Sequence, residues 1–182
     1  MRRKRRRAAA MALGVMLSMT GAAGMAQVWE TFDGPGAAQW DYVADGVMGG
    51  VSRGGARLEE GALRLTGEVS TANNGGFIQV RRRFDGGWPE GTDGLRLRVR
   101  GNGERYFVFL RTTGLSRVWQ SYRASFVTTE DWSEVSLALA DFRPSHDGMR
   151  AVFAPGDVIS IGILAYGRDH RADVSLREIS LY

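Results

Sequence analysis

The chain has 182 residues, no cysteine, and 24 basic against 20 acidic residues, which gives a net charge of +4. The lack of cysteine excludes a disulfide framework, a thiolate nucleophile and a cysteine-based metal site. Six of the basic residues lie within the first seven positions, so residues 27–182 carry 18 arginines against 20 acids, a net charge near −2. The positive charge therefore belongs to the N-terminus, and no nucleic-acid partner is predicted.

The first 26 residues have the order of a secretory signal peptide. A basic segment at 2–7 precedes an apolar run at 8–19, and small residues then lead to Ala26. This order predicts cleavage after Ala26 and an exported single domain at 27–182, periplasmic in a bacterium with two membranes. The alternative is an uncleaved membrane anchor, because residues 8–26 are nearly long enough to span a bilayer.

From residue 27 onward, the sequence predicts one strand after another, separated by glycine-rich turns. Apolar and polar residues alternate in the runs 78–84, 95–100, 135–139 and 159–163. The run 106–110 is apolar throughout, which predicts a central strand. A change of phase between Leu176 and Ile179 predicts a β-bulge in the last strand. No segment has sustained helical periodicity, so we predict an all-β, two-sheet jelly-roll sandwich of nine or ten strands.

Two loops, at 45–52 and 70–77, combine glycines with Asp, Ser and Asn side chains. Such loops let a ligand or a partner's backbone approach closely, while the polar groups orient it. A structural role is the alternative, because Gly and Asn adopt left-handed conformations and Asp, Ser and Asn close their own turns. The candidate binding residues are Asp45, Met48, Gly49, Gly50, Ser52, Asn73, Asn74, Gly75, Gly76 and Arg81.

No pattern in the sequence predicts a catalytic centre. Residues 50–54 spell G-x-S-x-G, but the segment that follows is strand-like, whereas a hydrolase nucleophile elbow leads into a helix. His146 and His170 lie in separate polar, turn-like segments. The loop 85–93 holds oxygen ligands at a spacing unlike that of an EF-hand, and one structural calcium ion, as some sandwich domains hold, is the alternative there. We therefore predict no catalytic residue, no metal ligand set and no cofactor, and expect a binding protein rather than an enzyme.

Arginine rows on two predicted strands and five tryptophans offer further candidate surfaces. Arg81 and Arg83 form one row, and Arg96, Arg98 and Arg100 form another. On neighbouring strands they would form one patch for an anionic partner. The simpler interpretation, which we favour, is that each row is a solvated face paired with acids. Trp40 and Trp132 are expected in the core, and Trp88, beside Pro89, is expected to be exposed.

Three segments carry a family resemblance: 45–52, 67–81 and 94–106. In the third, Gly94-Leu-Arg-Leu-Arg-Val-Arg-Gly-Asn-Gly-Glu-Arg-Tyr106 is similar to the pattern G-x-x-L-R-x-R-G-D-G-x-x-Y of the complex I intermediate-associated protein 30 family, with Asn102 in place of Asp. The resemblance extends from Trp29 to Tyr182. It implies a galactose-binding-like jelly roll and a non-enzymatic role in assembling respiratory complex I.

The resemblance and the two loops together predict a protein-binding module of the assembly-factor type, with a membrane-associated complex as its partner. The eukaryotic relatives act on the matrix side of their membrane, whereas this leader would direct the domain across the membrane. One fold can serve different partners in different proteins, so the alternative is a carbohydrate- or small-ligand-binding module with the same fold.

Overall fold

The structure is a computed structural model that describes residues 26–182. The predicted signal peptide, and the membrane anchor that is its alternative, lie outside the described residues except for Ala26. Helical structure within 26–182 is limited to five short 3-10 turns, at Pro35–Gln39, Asp45–Met48, Ala72–Asn74, Leu139–Asp141 and Pro155–Asp157. None of these turns has the length and apolarity needed to cross a bilayer.

Twelve strands make up most of the described chain. In order they are β1 Gln27–Thr31, β2 Trp40–Ala44, β3 Arg53–Glu59, β4 Ala62–Val69, β5 Phe77–Arg83, β6 Gly94–Gly101, β7 Arg105–Thr112, β8 Tyr122–Val127, β9 Ser133–Ala138, β10 Arg143–Pro144, β11 Val158–Tyr166 and β12 His170–Leu181. The prediction of nine or ten strands falls short because a two-residue strand such as β10 has no alternation to detect.

The strands form two antiparallel six-stranded sheets. The first sheet has the order β3-β4-β12-β6-β9. β1 pairs with the C-terminal end of β12, beyond the part of β12 that pairs with β4. The second sheet has the order β10-β8-β7-β11-β5-β2. Most neighbours in each sheet are distant in sequence, and the two sheets face each other across one core. The predicted all-β jelly-roll sandwich is confirmed.

The core lies between the inner faces of the two sheets, and the two-residue alternation explains its composition. Val80, Val108 and Ile163 from the second sheet are completely buried, as are Leu97 and Val174 from the first. Alternate residues of the same strands, such as Arg81, Phe109 and Arg98, therefore lie on outer faces.

The two specific strand predictions are confirmed. β7 lies between β8 and β11 in the second sheet, as the continuous apolar run predicts. The register of β12 against β6 shifts between Leu176 and Glu178, and both Leu176 and Ile179 are completely buried. The bulge thus keeps both halves of β12 directed into the core.

Candidate functional site

Asp45 joins the two predicted loops. Its side chain is completely buried, and its carboxylate accepts hydrogen bonds from the Ser52 backbone N–H (3.0 Å), the Ser52 hydroxyl (2.5 Å), and the backbone N–H groups of Gly76 (2.6 Å) and Phe77 (3.2 Å). Burial alone would raise the pKa of Asp45, but these hydrogen bonds outweigh it and hold the pKa below its ordinary value. The carboxylate therefore fastens the loop 45–52 to the loop 70–77.

The glycines of these loops have structural reasons of their own. A Cβ at Gly50 or at Gly75 would overlap the Asp45 carboxylate, so both positions must lack a side chain. Asn73 and Asn74 adopt left-handed conformations, with φ of 57° and 59°. These are conformations in which Asn is tolerated better than most residues. The structural alternative for these residues thus has direct support.

The remaining candidates of the loop prediction do not all share one surface. Met48, Asn73 and Asn74 are exposed on the joined loops, and Met48 is 63% exposed. Arg81 lies elsewhere, on β5 opposite Asp41 of β2. The structure brings the loop residues together and leaves Arg81 apart, and their role in binding stays a prediction.

The residues considered for catalysis, Ser52, His146 and His170, make local hydrogen bonds and do not contact one another. Ser52 of the G-x-S-x-G segment bonds to Asp45 and leads into β3 rather than into a helix. His146 contacts the adjacent Ser145 hydroxyl (2.7 Å), and His170 Nδ1 lies 2.9 Å from the Arg168 carbonyl oxygen. Between residues 26 and 182, no cluster of three His, Asp or Glu side chains is arranged to hold a metal ion.

The outer face of the second sheet carries a group of aromatic and charged side chains that the sequence did not reveal as a unit. The pairing register places one residue from each of its six strands in a continuous row. In spatial order this row is Asp41, Arg81, Gly162, Phe109, Arg123 and Arg143. Residues two positions away along each strand share the same face, which is called the outer face below.

Three aromatic rings pack against one another at the centre of the outer face. Phe107, Phe109 and Tyr166, called the aromatic cluster below, meet edge to face with ring centroids 5.2 to 6.1 Å apart. All three are half-buried, although they lie on the side of the sheet away from the core. Such rings leave apolar surface available to a flat ligand.

Arg123 lies over the aromatic cluster. Its guanidinium carbon is 4.4 Å from the centroid of Phe109 and 5.1 Å from that of Tyr166, which is cation–π geometry. Its Nε donates to the Ser121 hydroxyl (3.0 Å) and its Nη1 to the Tyr166 hydroxyl (3.2 Å). These contacts fix the plane of the guanidinium while leaving it half-exposed.

Arg111 connects the outer face to the loop 113–121. Its Nη1 donates to the carbonyl oxygens of Arg117 (3.1 Å), Val118 and Gln120 (3.2 Å). The turn held in this way presents Trp119, which is 56% exposed. The same loop forms one wall of a groove of about 920 Å³, whose opposite wall includes Met149 and Phe153.

Two tryptophan predictions are wrong and one is confirmed. Trp88 is buried at 2% exposure because its loop folds back onto Trp29 and Phe84. Trp132 lies outside the core, between the guanidinium groups of Arg100 and Arg177 on the first sheet. Trp40 is buried as expected.

The two arginine rows lie in different sheets, so they do not form the combined patch considered from the sequence. Arg96 on β6 lies 3.8 Å from Glu134 of the neighbouring strand, as a paired, solvated face predicts. Arg81 and Arg83 on β5 share the outer face with Arg111 and Arg123 instead. None of the seven ion pairs within residues 26–182 involves these four arginines.

Several solved structures have a similar fold. A family 11 carbohydrate-binding module from Clostridium thermocellum, in complex with a β-1,3-1,4-mixed-linked tetrasaccharide, has 12% identity and a TM-score of 0.66, over 86% of this chain and 94% of that chain. A family 30 carbohydrate-binding module of a Clostridium thermocellum cellulosomal cellulase has 15% identity and a TM-score of 0.50, over 73% and 90%. An agarase has 11% identity and a TM-score of 0.59, over 86% of this chain and 24% of that chain. At these identities, the likeness concerns the fold.

The sequence itself identifies a family. No curated protein matches the chain. Residues 30–177, however, match the model of the family described as complex I intermediate-associated protein 30. The match includes the joined loops and every strand of the second sheet. The chain therefore belongs to the complex I intermediate-associated protein 30 family.

Proposed function

We propose that this chain is a non-catalytic, exported binding module that holds a carbohydrate on the outer face of its second sheet. The proposal depends mainly on the aromatic cluster. Its three half-buried rings lie on the side of the sheet away from the core, where no second sheet packs against them. Aromatic rings supply large contact area at low conformational cost, and the apolar faces of sugar rings fit such a surface.

The surroundings of the aromatic cluster support the same function. Arg123 and Gln79 provide hydrogen-bond donors beside the rings, on strands flanking the centre of the face. Trp119 stands exposed on the loop that Arg111 holds at the edge of this face. The family 11 module of similar fold was solved with a tetrasaccharide bound, so the architecture is compatible with a glycan ligand.

Removing rings from the outer face tests the proposal. Phe109→Ala and Tyr166→Ala are each expected to weaken glycan binding about tenfold, equivalent to about 1.4 kcal/mol, through loss of stacking area. The measurement is affinity electrophoresis followed by calorimetry with mixed-linked β-glucan, agarose, polygalacturonate and dextran sulfate. These polymers are neutral or anionic, so the panel does not presuppose the charge of the ligand.

Trp132→Ala is the matched control, because Trp132 is a half-buried aromatic residue on the outer face of the first sheet. It is expected to leave the affinity unchanged. Loss of binding in the Trp132 variant, together with normal binding in the Phe109 and Tyr166 variants, would place the ligand on the first sheet and refute the proposal.

A protein partner is the second candidate, and one observation favours it. The loop 45–52 exposes three apolar side chains, Val47 (76%), Met48 (63%) and Val51 (42%), which is the kind of surface that contacts a partner. The family's name refers to complex I intermediates, and a membrane-associated complex would be the partner. Crosslinking in the native envelope separates the candidates: a specific crosslink that Val47→Ser with Met48→Ser removes, without any glycan binding, would favour the protein partner.

A further inference from the structure

The outer face has an unusual excess of positive charge. Residues 27–182 contain more acidic than basic residues. On the central row of the outer face, by contrast, Arg81, Arg123 and Arg143 face a single carboxylate, that of Asp41. Arg83 and Arg111, two positions along β5 and β7, extend the positive region. The acidic residues of the domain are therefore concentrated elsewhere.

The first sheet shows the opposite arrangement. Arg64 lies 2.9 Å from Glu59 and 2.7 Å from Asp173, and Arg171 lies 4.0 Å from Glu68. On the outer face of the second sheet, no carboxylate of residues 26–182 comes within ion-pair distance of Arg81, Arg83, Arg111 or Arg123. These four guanidinium groups therefore have no ion-pair partner within the described residues, although the domain contains 20 acidic residues.

Arg81 bears the clearest cost of this arrangement. It is half-buried, and its Nε is enclosed with no hydrogen-bond partner among the residues that the structure describes. Burial, together with the charges of Arg83 and Arg111, lowers the pKa of Arg81, and Asp41 offsets this only in part. A buried polar group without a partner costs free energy that a bound anion would offset.

Arg123 is oriented as an anion receptor. The contacts of its Nε and Nη1 with Ser121 and Tyr166 fix its plane, and the rings beneath it desolvate one side. A planar guanidinium in a fixed orientation binds carboxylate or sulfate through two parallel hydrogen bonds. Arg81 and Arg123 lie on strands three positions apart in the sheet, which is a separation of about 14 Å. One small anion cannot reach both, whereas an extended polyanion can.

We propose that the glycan held by the outer face is anionic, with carboxylate or sulfate groups that Arg81 and Arg123 bind while the aromatic cluster stacks on its sugar rings. This inference rests on the proposed function and specifies its ligand class. The shared chemistry is a polysaccharide with repeated negative charges, and the two possible anionic groups are distinguished by the choice of polymer.

The test compares charged and neutral forms of the same polymer. Polygalacturonate is paired with its fully methyl-esterified form, and dextran sulfate with dextran. The intact chain is expected to bind the charged member of at least one pair at least tenfold more tightly than its neutral member, and added salt is expected to weaken that binding. The pair that responds identifies the carboxylate or the sulfate as the anionic group.

Arginine variants locate the effect. Arg81→Gln and Arg123→Gln are each expected to weaken binding of the charged polymer about tenfold. Arg83→Gln, at an exposed position on the same face, is expected to weaken it severalfold, and it keeps the test decisive if the two half-buried variants fold poorly. Arg98→Gln is the control, because Arg98 is exposed on the first sheet between Glu178 and Glu134 of the neighbouring strands, and it should change nothing.

The outcomes separate the two proposals. Equal affinity for both members of each pair, weakened about tenfold by Phe109→Ala, would overturn the anionic ligand and leave the proposed glycan binding intact. An equal loss in Arg98→Gln and Arg83→Gln would show general charge attraction and overturn the assigned site. Failure to bind any polymer, charged or neutral, would overturn both proposals.

Discussion

Replacement of Asp45 by alanine is expected to reduce the free energy of unfolding by about 3–5 kcal/mol, against a total of about 5–15 kcal/mol for an ordinary domain. The completely buried carboxylate accepts four hydrogen bonds from Ser52, Gly76 and Phe77. Alanine would leave the three backbone N–H donors without this acceptor, whereas the Ser52 hydroxyl also contacts the Ser70 carbonyl oxygen (3.2 Å). A loss of this size corresponds to a fall in Tm of about 10 °C for a domain of this length. Urea unfolding and thermal denaturation provide the measurement.

The pH dependence of this stability follows from the direction of the pKa shift. Hydrogen bonding holds the pKa of folded Asp45 below that of the unfolded chain, about 3.9, despite burial, which acts in the opposite direction. A carboxyl with a depressed folded pKa contributes stability that is fully present above its unfolded pKa and is lost as the pH falls through the folded value. The difference between the wild type and Asp45→Asn should therefore be larger at about pH 7 than at about pH 3.

The control for Asp45 is Asp147→Ala, because Asp147 is exposed in a loop. Its stability should lie within about 0.5 kcal/mol of the wild type. An Asp45→Ala protein that is as stable as the Asp147→Ala protein would contradict the role of the carboxylate as the tie between the loops 45–52 and 70–77.

Glu30→Ala is expected to cost about 3–4 kcal/mol of unfolding free energy. Glu30 on β1 is buried between the sheets, where its carboxylate accepts a hydrogen bond from Trp40 Nε1 (3.0 Å) and pairs with Arg82. The Arg82 side chain is only 16% exposed, and its guanidinium carbon lies 4.8 Å from the centroid of the Trp29 ring. Alanine would leave a buried guanidinium without its counterion and the Trp40 N–H without its acceptor.

A double variant distinguishes loss of charge pairing from simple loss of volume. Glu30→Met combined with Arg82→Met removes both charges together and fills similar space, so it should recover most of the stability lost in Glu30→Ala. Urea unfolding of the wild type, of Glu30→Met and Arg82→Met singly, and of the double variant forms a thermodynamic cycle. A double variant less stable than either single variant would show that the ion pair itself, rather than its disruption, governs the energetics.

The sequence predicts the fold well because its main signals are local. The alternation in β5, β6 and β11 and the phase change before Ile179 each involve residues adjacent in the chain, and each specifies which side chains face the core. The same alternation places Arg82 on the inner side of β5, but nothing local shows that its partner is Glu30, 52 residues earlier.

The outer face could not be assembled from the sequence because its residues are brought together by sheet order. Arg81, Phe109, Arg123 and Tyr166 come from β5, β7, β8 and β11, and only the order β8-β7-β11-β5 makes them neighbours. A row of arginines on one strand predicts a polar face, and the fact that Asp41 is the one carboxylate in the central row of the outer face can be read only from the structure. The Trp88 prediction failed for a similar reason, since the proximity of Pro89 gives no sign that the loop folds back onto Phe84.

Whether the outer face of the second sheet is the ligand-binding surface can be measured by NMR titration of the isotope-labelled protein, with an oligosaccharide prepared from whichever polymer binds. We expect the largest chemical-shift changes in the backbone amides of β5, β7, β8 and β11 and in the side chains of Arg81 and Arg123. Changes confined to the loops 45–52 and 70–77, or to the first sheet, would contradict it.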